Sequence, residues 1–248
     1  MEQHSLCDQR RLYGELAWLW PLTNTMADYA KQSEAFWEII EENSRIEVET
    51  LLDLGCGGGL NDCALKKYAA VTGIDSSPAM LEIARKINPE VDYRVGDMRS
   101  VRLEELFDGV VIFDSLVYML SEADLQAAFA TVFAHLKPEG IFLTYMEYSP
   151  ELFQQNRVQC SVHNHDDLKI VEVWNEYDPD KTDHTFESVA VFLIRRSGEL
   201  QIETDRHLCG IFEIETWERL LKETGFQVKI EKSTLKEGHP AFVCTKPF

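Results

Sequence analysis

At 248 residues the chain can form one α/β domain with an added element, and a hydrophobic fraction of 45% supplies an ordinary globular core. A formal charge of −19 with no dense Lys/Arg stripe argues against a nucleic-acid partner, whose phosphates need a basic face. No apolar run is long enough to span a bilayer, so no membrane role is expected.

The six cysteines (Cys7, Cys56, Cys63, Cys160, Cys209 and Cys244) are scattered without a CxxC pair and read as free thiols of a reducing, cytoplasmic compartment. Arg10 and Arg11 precede only the short run Leu16–Leu22, broken by Pro21, which does not read as a secretion signal.

In chain order, residues 1–25 are dense in aromatics (Tyr13, Trp18, Trp20) without a clear period. Met26–Glu42 then places Tyr29, Phe36, Trp37 and Ile40 at helical spacing. Thr50–Leu54 reads as a strand, Leu60–Tyr68 as a helix and Val71–Asp75 as a strand. Ser77 is an N-cap with Pro78 at the first helical position, and the helix they open turns Met80, Leu81, Ile83, Ala84 and Ile87 inward.

Val91–Val95 and Gly109–Phe113 are further strands. Ser121 and Asp124 resemble a capping box for a helix running to Leu136. Lys137–Gly140 stops that helix before the buried strand Ile141–Met146. This alternation predicts βαβ units on a parallel sheet. After Pro150, four β-favouring runs (158–162, 169–177, 186–195 and 200–208) predict an inserted antiparallel sheet. Thr216–Thr224 closes as a helix at Gly225, before two last strands at 226–231 and 241–245.

The chemistry is concentrated at strand ends. Leu51–Leu54 runs into Gly55-Cys56-Gly57-Gly58-Gly59, a turn where a ligand can lie against bare backbone. A third dinucleotide-type glycine would fall at Leu60, and Asp53 at the mouth would repel a pyrophosphate, which opposes an NAD-linked oxidoreductase. A cationic sulfonium and ammonium suit Asp53 better. Asp75, about 20 residues on, can accept both ribose hydroxyls. Asp97 can accept from an adenine amino group, with Met98 on the ring face.

The run Leu51–Met146 resembles the core of class I S-adenosylmethionine-dependent methyltransferases. Asp53-x-Gly55-x-Gly57-x-Gly59 is similar to their first motif, Asp75 to their second-strand acid and Asp97-Met98 to their adenine contact. Phe113-Asp114-Ser115 is similar to the segment after their fourth strand, and Leu136–Gly140 to their "LkpGG" turn, with Glu139 in place of a glycine.

The resemblance implies a Rossmann-like, doubly wound, mostly parallel seven-stranded sheet ordered 3-2-1-4-5-7-6. It also implies S-adenosylmethionine as cofactor, with Tyr13, Tyr29, Ser76 and Phe113 joining the strand-end residues around it. A narrower likeness to small-molecule N-methyltransferases of amino sugars, or of the glycine type, rests on several residues. These are Tyr13, Asp28-Tyr29 followed by Glu34, Glu147-x-x-Pro150-Glu151-x-Phe153, His207 ahead of Phe212, and the inserted sheet. Tyr118 stands where such enzymes often carry a histidine.

The expected organisation is a helical lid over 1–45, a cofactor core over 46–156, the inserted sheet over 157–212 and the rest of the core over 213–248. Tyr118, Glu147 and His207 are the expected catalytic residues around a small-molecule acceptor, with nitrogen favoured over oxygen. The alternatives are the oxidoreductase and a non-catalytic adenosylmethionine-binding protein. Cys160, His163 and His165 suggest a metal, but Asn164 and Asp166-Asp167 mark a solvated turn and no metal is expected. The inserted sheet is a lid or a homodimer interface.

Overall fold

A computed structural model describes residues 8–232 and 239–248. Its main sheet contains β1 (Thr50–Leu54), β2 (Ala70–Asp75), β3 (Asp92–Val95), β4 (Phe107–Ile112), β5 (Leu136–Tyr145), β10 (Gln227–Lys232) and β11 (Pro240–Thr245). Its order is β10-β11-β5-β4-β1-β2-β3. β1 to β5 are mutually parallel, and β11 runs antiparallel to both β5 and β10. This is the order expected for a class I methyltransferase sheet.

A second sheet has β6 (Arg157–Asn164), β7 (Leu168–Tyr177), β8 (Thr185–Arg196) and β9 (Glu199–Gly210) in simple antiparallel succession. Among the described residues the α-helices are α1 (Trp20–Thr23), α2 (Met26–Asn43), α3 (Asp62–Leu65), α4 (Pro78–Ile87), α5 (Glu122–His135) and α6 (Ile214–Thr224).

Local chemistry sets most boundaries. Ser77 Oγ accepts the Met80 N–H at 3.1 Å and Pro78 follows it, so α4 starts where predicted. Ser121 Oγ accepts the Asp124 N–H at 3.1 Å, but the Asp124 carboxylate takes the Ser121 hydroxyl instead of the Ser121 N–H. One methylene shorter than Glu, it makes half a capping box. Gly225 ends α6 at φ 111°.

Two expectations need correction. The helix read over Leu60–Tyr68 is only four residues long, because the glycine turn runs on to Asn61 and turns resume after Leu65. Lys137–Gly140 does not separate helix from strand: β5 already begins at Leu136, which pairs with Phe107 ahead of a bulge. Glu139 within it adopts φ 64°, the left-handed region that a glycine would occupy without strain.

Strand alternation divides the core. Leu52 and Leu54 of β1 pack with Phe129, Trp217 and Leu220 under α5 and α6. Leu51 packs on the opposite face with Phe36 and Leu65, under α2 and α3. A third cluster joins the sheets: Leu12, Leu16, Leu19 and Trp20 lie between Met80 of α4 and Ile170, Phe192 and Ile194 of the antiparallel sheet. The aromatic-rich N-terminal segment is therefore sandwiched between the sheets.

Candidate functional site

The carboxyl ends of β1 to β4 open on one cavity of about 690 Å³, the position where open α/β sheets take ligands. Its floor is the turn after β1. The Gly55 and Cys56 N–H groups both donate to Ile74 O, at 2.7 and 3.1 Å, folding the turn over the end of β2. Gly55 is held at φ 83°, and a Cβ there would stand 2.2 Å from Ser115 Oγ and 2.9 Å from Met98 Cε. At Gly58 a Cβ would meet the Trp20 ring at 2.2 Å, so the N-terminal segment lies directly on the glycine turn.

Asp75 ties the floor to the start of α4. One carboxylate oxygen accepts the Gly57 N–H at 2.9 Å and the other the Ser77 N–H at 2.8 Å. Burial raises its pKa, and those two hydrogen bonds oppose the rise. Tyr13, Tyr29, Gly55, Gly57, Asp75, Ser76, Asp97, Met98, Phe113 and Tyr118 all line this cavity. Phe113 is fixed by stacking on Phe36, ring centroids 3.6 Å apart. Asp97 is paired with Arg99, whose guanidinium also reaches Asp124 at 2.8 Å. Of the aromatics at the start of the chain, Tyr13, Trp20 and Tyr29 face the cavity, whereas Trp18 is exposed beneath Arg196.

Three expected site residues lie off this wall. Asp53 shares the Leu51 face of β1, under α3, so its carboxyl is buried rather than held over the strand end. Its neighbour is Asp62, also buried, whose Oδ2 accepts the Tyr93 hydroxyl at 2.8 Å and whose carboxyl is hydrogen-bonded with that of Asp53. Burial, reinforced by Asp62, pushes Asp53 well above the usual carboxylate range. Burial also raises Asp62, to about 6. Asp53 is buried beneath the sheet end and is not part of the cavity lining. Glu147 lines a separate small recess with Thr144, Tyr148 and Trp217. His207 is buried behind Tyr118, whose hydroxyl lies 2.8 Å from His207 Nδ1.

Asp114 and Ser115, named from the sequence only as part of the segment after the fourth strand, and Asp205, not named there, also belong to the site or its surroundings. Asp114, at φ 53°, accepts the Tyr145 hydroxyl and lines the cavity. Ser115, which seats Gly55, also lines it. Asp205 lies behind His207 with Oδ2 2.8 Å from Nε2; the signal was an Asp-x-His on one face of a strand. Among the described residues no group of three His, Cys, Asp or Glu could hold a metal. Cys56, Cys63, Cys160, Cys209 and Cys244 are free thiols; Cys7 and the side chain of Asp28 lie outside the described residues.

A family profile described as "Methyltransferase domain" matches residues 51–140. A putative methyltransferase of Bacillus subtilis (strain 168), YqeM, is 32% identical over 215 residues, covering 83% of this chain and 84% of that one. The dTDP-3-amino-3,4,6-trideoxy-alpha-D-glucopyranose N,N-dimethyltransferase of Streptomyces venezuelae is 31% identical over 148 residues, which are 59% of this chain. That match spans only 62% of the Streptomyces protein's length. The crystal structure of Streptomyces venezuelae DesVI superposes with a TM-score of 0.82 at 25% identity, covering 98% of this chain and 99% of that one.

The chain belongs to the S-adenosylmethionine-dependent methyltransferases. Membership settles the cofactor as S-adenosylmethionine and removes the NAD-linked reading. In this methyltransferase the antiparallel sheet is part of the shared architecture, since the DesVI superposition runs over nearly the whole chain. No helix among the described residues is long and apolar enough to cross a membrane.

Proposed function

We propose that this methyltransferase transfers a methyl group to the amino nitrogen of a small molecule, with an amino sugar as the acceptor class. The carrying observation is the acceptor end of the cavity, which Tyr13, Tyr118 and the carboxylate of Asp114 line together. Burial pushes both phenols up, so both stay protonated. Two neutral hydroxyls beside a carboxylate suit an amine or ammonium and hold it by its N–H groups. The Streptomyces relative acts on an amino sugar, and this supports the class. The charge of −19 supports a small molecule over nucleic acid.

The residues present fit the cofactor. When bound, it supplies a methyl group activated by a cationic sulfur. Asp75 keeps lone pairs for the two ribose hydroxyls beyond the backbone bonds it accepts. Asp97 would accept the adenine amino group with Met98 and Phe113 as apolar surface, and Gly55, Gly57 and Ser76 would leave the backbone bare for it. Tyr13 and Tyr29, with Trp20 on the turn, exclude water above the reacting atoms. The chain needs to align the nitrogen and keep it unprotonated; no acid is obligatory.

The test supplies S-adenosylmethionine with dTDP-3-amino-3,4,6-trideoxy-α-D-glucopyranose and simple amino sugars, following adenosylhomocysteine release and locating the new methyl group by NMR. Methylation of nitrogen is expected; a methyl ether at a sugar hydroxyl overturns the reading.

We also infer that the antiparallel sheet joins two copies of the chain. The face turned away from the core carries Val171 and Val173 of β7 opposite Leu193 and Val191 of β8. Val158, Val162 and Ile202 extend it, each about 60% exposed. Apolar residues across four strands, on a self-complementary antiparallel surface, suit a two-fold contact. Sedimentation of the wild type and of Val162→Asp/Ile202→Asp is expected to show a dimer and a monomer; a wild-type monomer overturns it.

A further inference from the structure

We propose that Asp205 and His207 form a buried proton acceptor that reaches the methyl acceptor through the hydroxyls of Tyr118 and Tyr13. The proposal rests on the amine reading above. The chain of contacts is continuous: Asp205 Oδ2 to His207 Nε2 at 2.8 Å, His207 Nδ1 to Tyr118 Oη at 2.8 Å, and Tyr118 Oη to Tyr13 Oη at 2.7 Å. It crosses three distant stretches of sequence and ends at the two tyrosines of the cavity wall.

Its direction follows from the far end. Asp205 accepts backbone N–H groups from Arg11, Leu12 and Arg206, at 2.9, 2.6 and 2.8 Å. Burial opposes its charge, but the hydrogen bonds from His207 and from the Leu12 and Arg11 backbone hold it below the usual carboxylate range. An ionised carboxylate only accepts, so His207 carries a proton on Nε2, and in the neutral imidazole of the proposal Nδ1 is then the accepting nitrogen. Tyr118 must then donate to Nδ1, which leaves its oxygen to accept from Tyr13. Tyr13 in turn presents a lone pair, and that lone pair calls for a donor such as the N–H of an amine.

The same geometry passes a proton the other way from the cavity. An N–H bond of a bound ammonium breaks and its proton goes to Tyr13 Oη. The Tyr13 proton moves to Tyr118, and that of Tyr118 to His207 Nδ1, giving an imidazolium paired with Asp205. The electron pair stays on nitrogen, free for methylation, and the proton returns by the same route to water when product leaves. The Arg10 guanidinium lies 4.4 Å from the Tyr118 ring centroid and favours the negative charge that crosses that phenol. Asp114, Glu147 and Cys209 are the other titratable groups acting on the two phenols. Trp174 packs edge-on against the imidazole at 5.4 Å and keeps water from it. Tyr13 touches the acceptor, whereas Asp205 is a positioning residue that fixes the tautomer of His207.

Two measurements test this. In protein labelled with ¹⁵N-histidine, long-range ¹H–¹⁵N spectra at pH 8 are expected to show His207 protonated on Nε2 alone, assigned by its loss in His207→Gln. A proton on Nδ1, in neutral or cationic form, overturns the relay.

The second measurement takes wild type, Asp205→Asn and Tyr118→Phe with dTDP-3-amino-3,4,6-trideoxy-α-D-glucopyranose from pH 6.5 to 9.5. Both variants are expected to lose about 100-fold in kcat at the acid end. They should recover as the free amine becomes the dominant species, with adenosylhomocysteine affinity unchanged throughout. Undiminished kcat, or a loss that is the same at every pH, overturns the proposal. Asp205 also holds backbone N–H groups, so if its variant does not fold, Tyr118→Phe alone carries the kinetic test. Wild-type enzyme that leaves the amine unmethylated at every pH defeats the amine reading, and the tautomer result then decides the hydrogen-bond direction by itself.

Discussion

The acid pair beneath the glycine turn makes stability depend on pH in an unusual direction. Asp62 rises from 3.8 to about 6 through burial. At roughly 1.4 kcal/mol per tenfold change, ionising it in the folded protein costs about 3 kcal/mol more than in the unfolded chain. Because the folded pKa is the higher one, the stabilisation is complete below about pH 4 and is lost as pH rises through 6. Asp62→Asn removes this titration while its amide oxygen still accepts from Tyr93 and its NH₂ faces Asp53. Urea unfolding at pH 4.5, 6 and 8 is the assay. The variant should match wild type at the acid end and exceed it by about 2–3 kcal/mol at pH 8, the order set by that same linkage. Parallel curves for the two proteins, or a variant less stable at pH 8 than at pH 4.5 by the wild-type margin, would refute the reasoning.

Asp75→Ala should weaken adenosylhomocysteine binding by about 1.5–3 kcal/mol, the range for hydrogen bonds to a charged group, measured calorimetrically on folded protein. Hydrogen exchange should gain protection across residues 10–30 when adenosylhomocysteine is added, since Trp20 rests on the glycine turn and Tyr13 and Tyr29 face the cavity; equal exchange in both states would make that segment fixed packing. Glu139→Gly should stabilise the fold by roughly 1 kcal/mol in thermal or urea unfolding, by relieving the left-handed backbone at φ 64°.

The parallel core was readable where local punctuation marks a boundary: the Asp-x-Gly-x-Gly turn after β1, the Ser77-Pro78 start of α4 and Gly225 after α6. The four runs of the antiparallel sheet were equally plain, each bounded by polar turns. What the sequence could not show was orientation. Asp53 looked like a cavity residue from its position at a strand end, but the alternation that buries Leu51 carries it under α3. Glu147 follows β5 as expected yet faces a different recess. His207 was recognised, but its connection to the cavity through Tyr118 depends on pairings more than eighty residues apart in sequence. Asp205 was passed over because an acid on a strand usually faces solvent, and only the packing of residues 11–12 against β9 buries it.

The two ends of the cavity draw on different parts of the chain. The floor and cofactor wall come from the ends of β1, β2, β3 and β4, contiguous in one sheet and separated by short connections. The acceptor end needs Tyr13 from the start of the chain, Tyr118 after β4 and the His207 pair from the antiparallel sheet. The first rests mainly on the parallel core, whereas the second is built where the N-terminal segment and the second sheet meet it. A lineage could therefore change what it methylates by altering β9, leaving the strand-end residues that grip the methyl donor untouched.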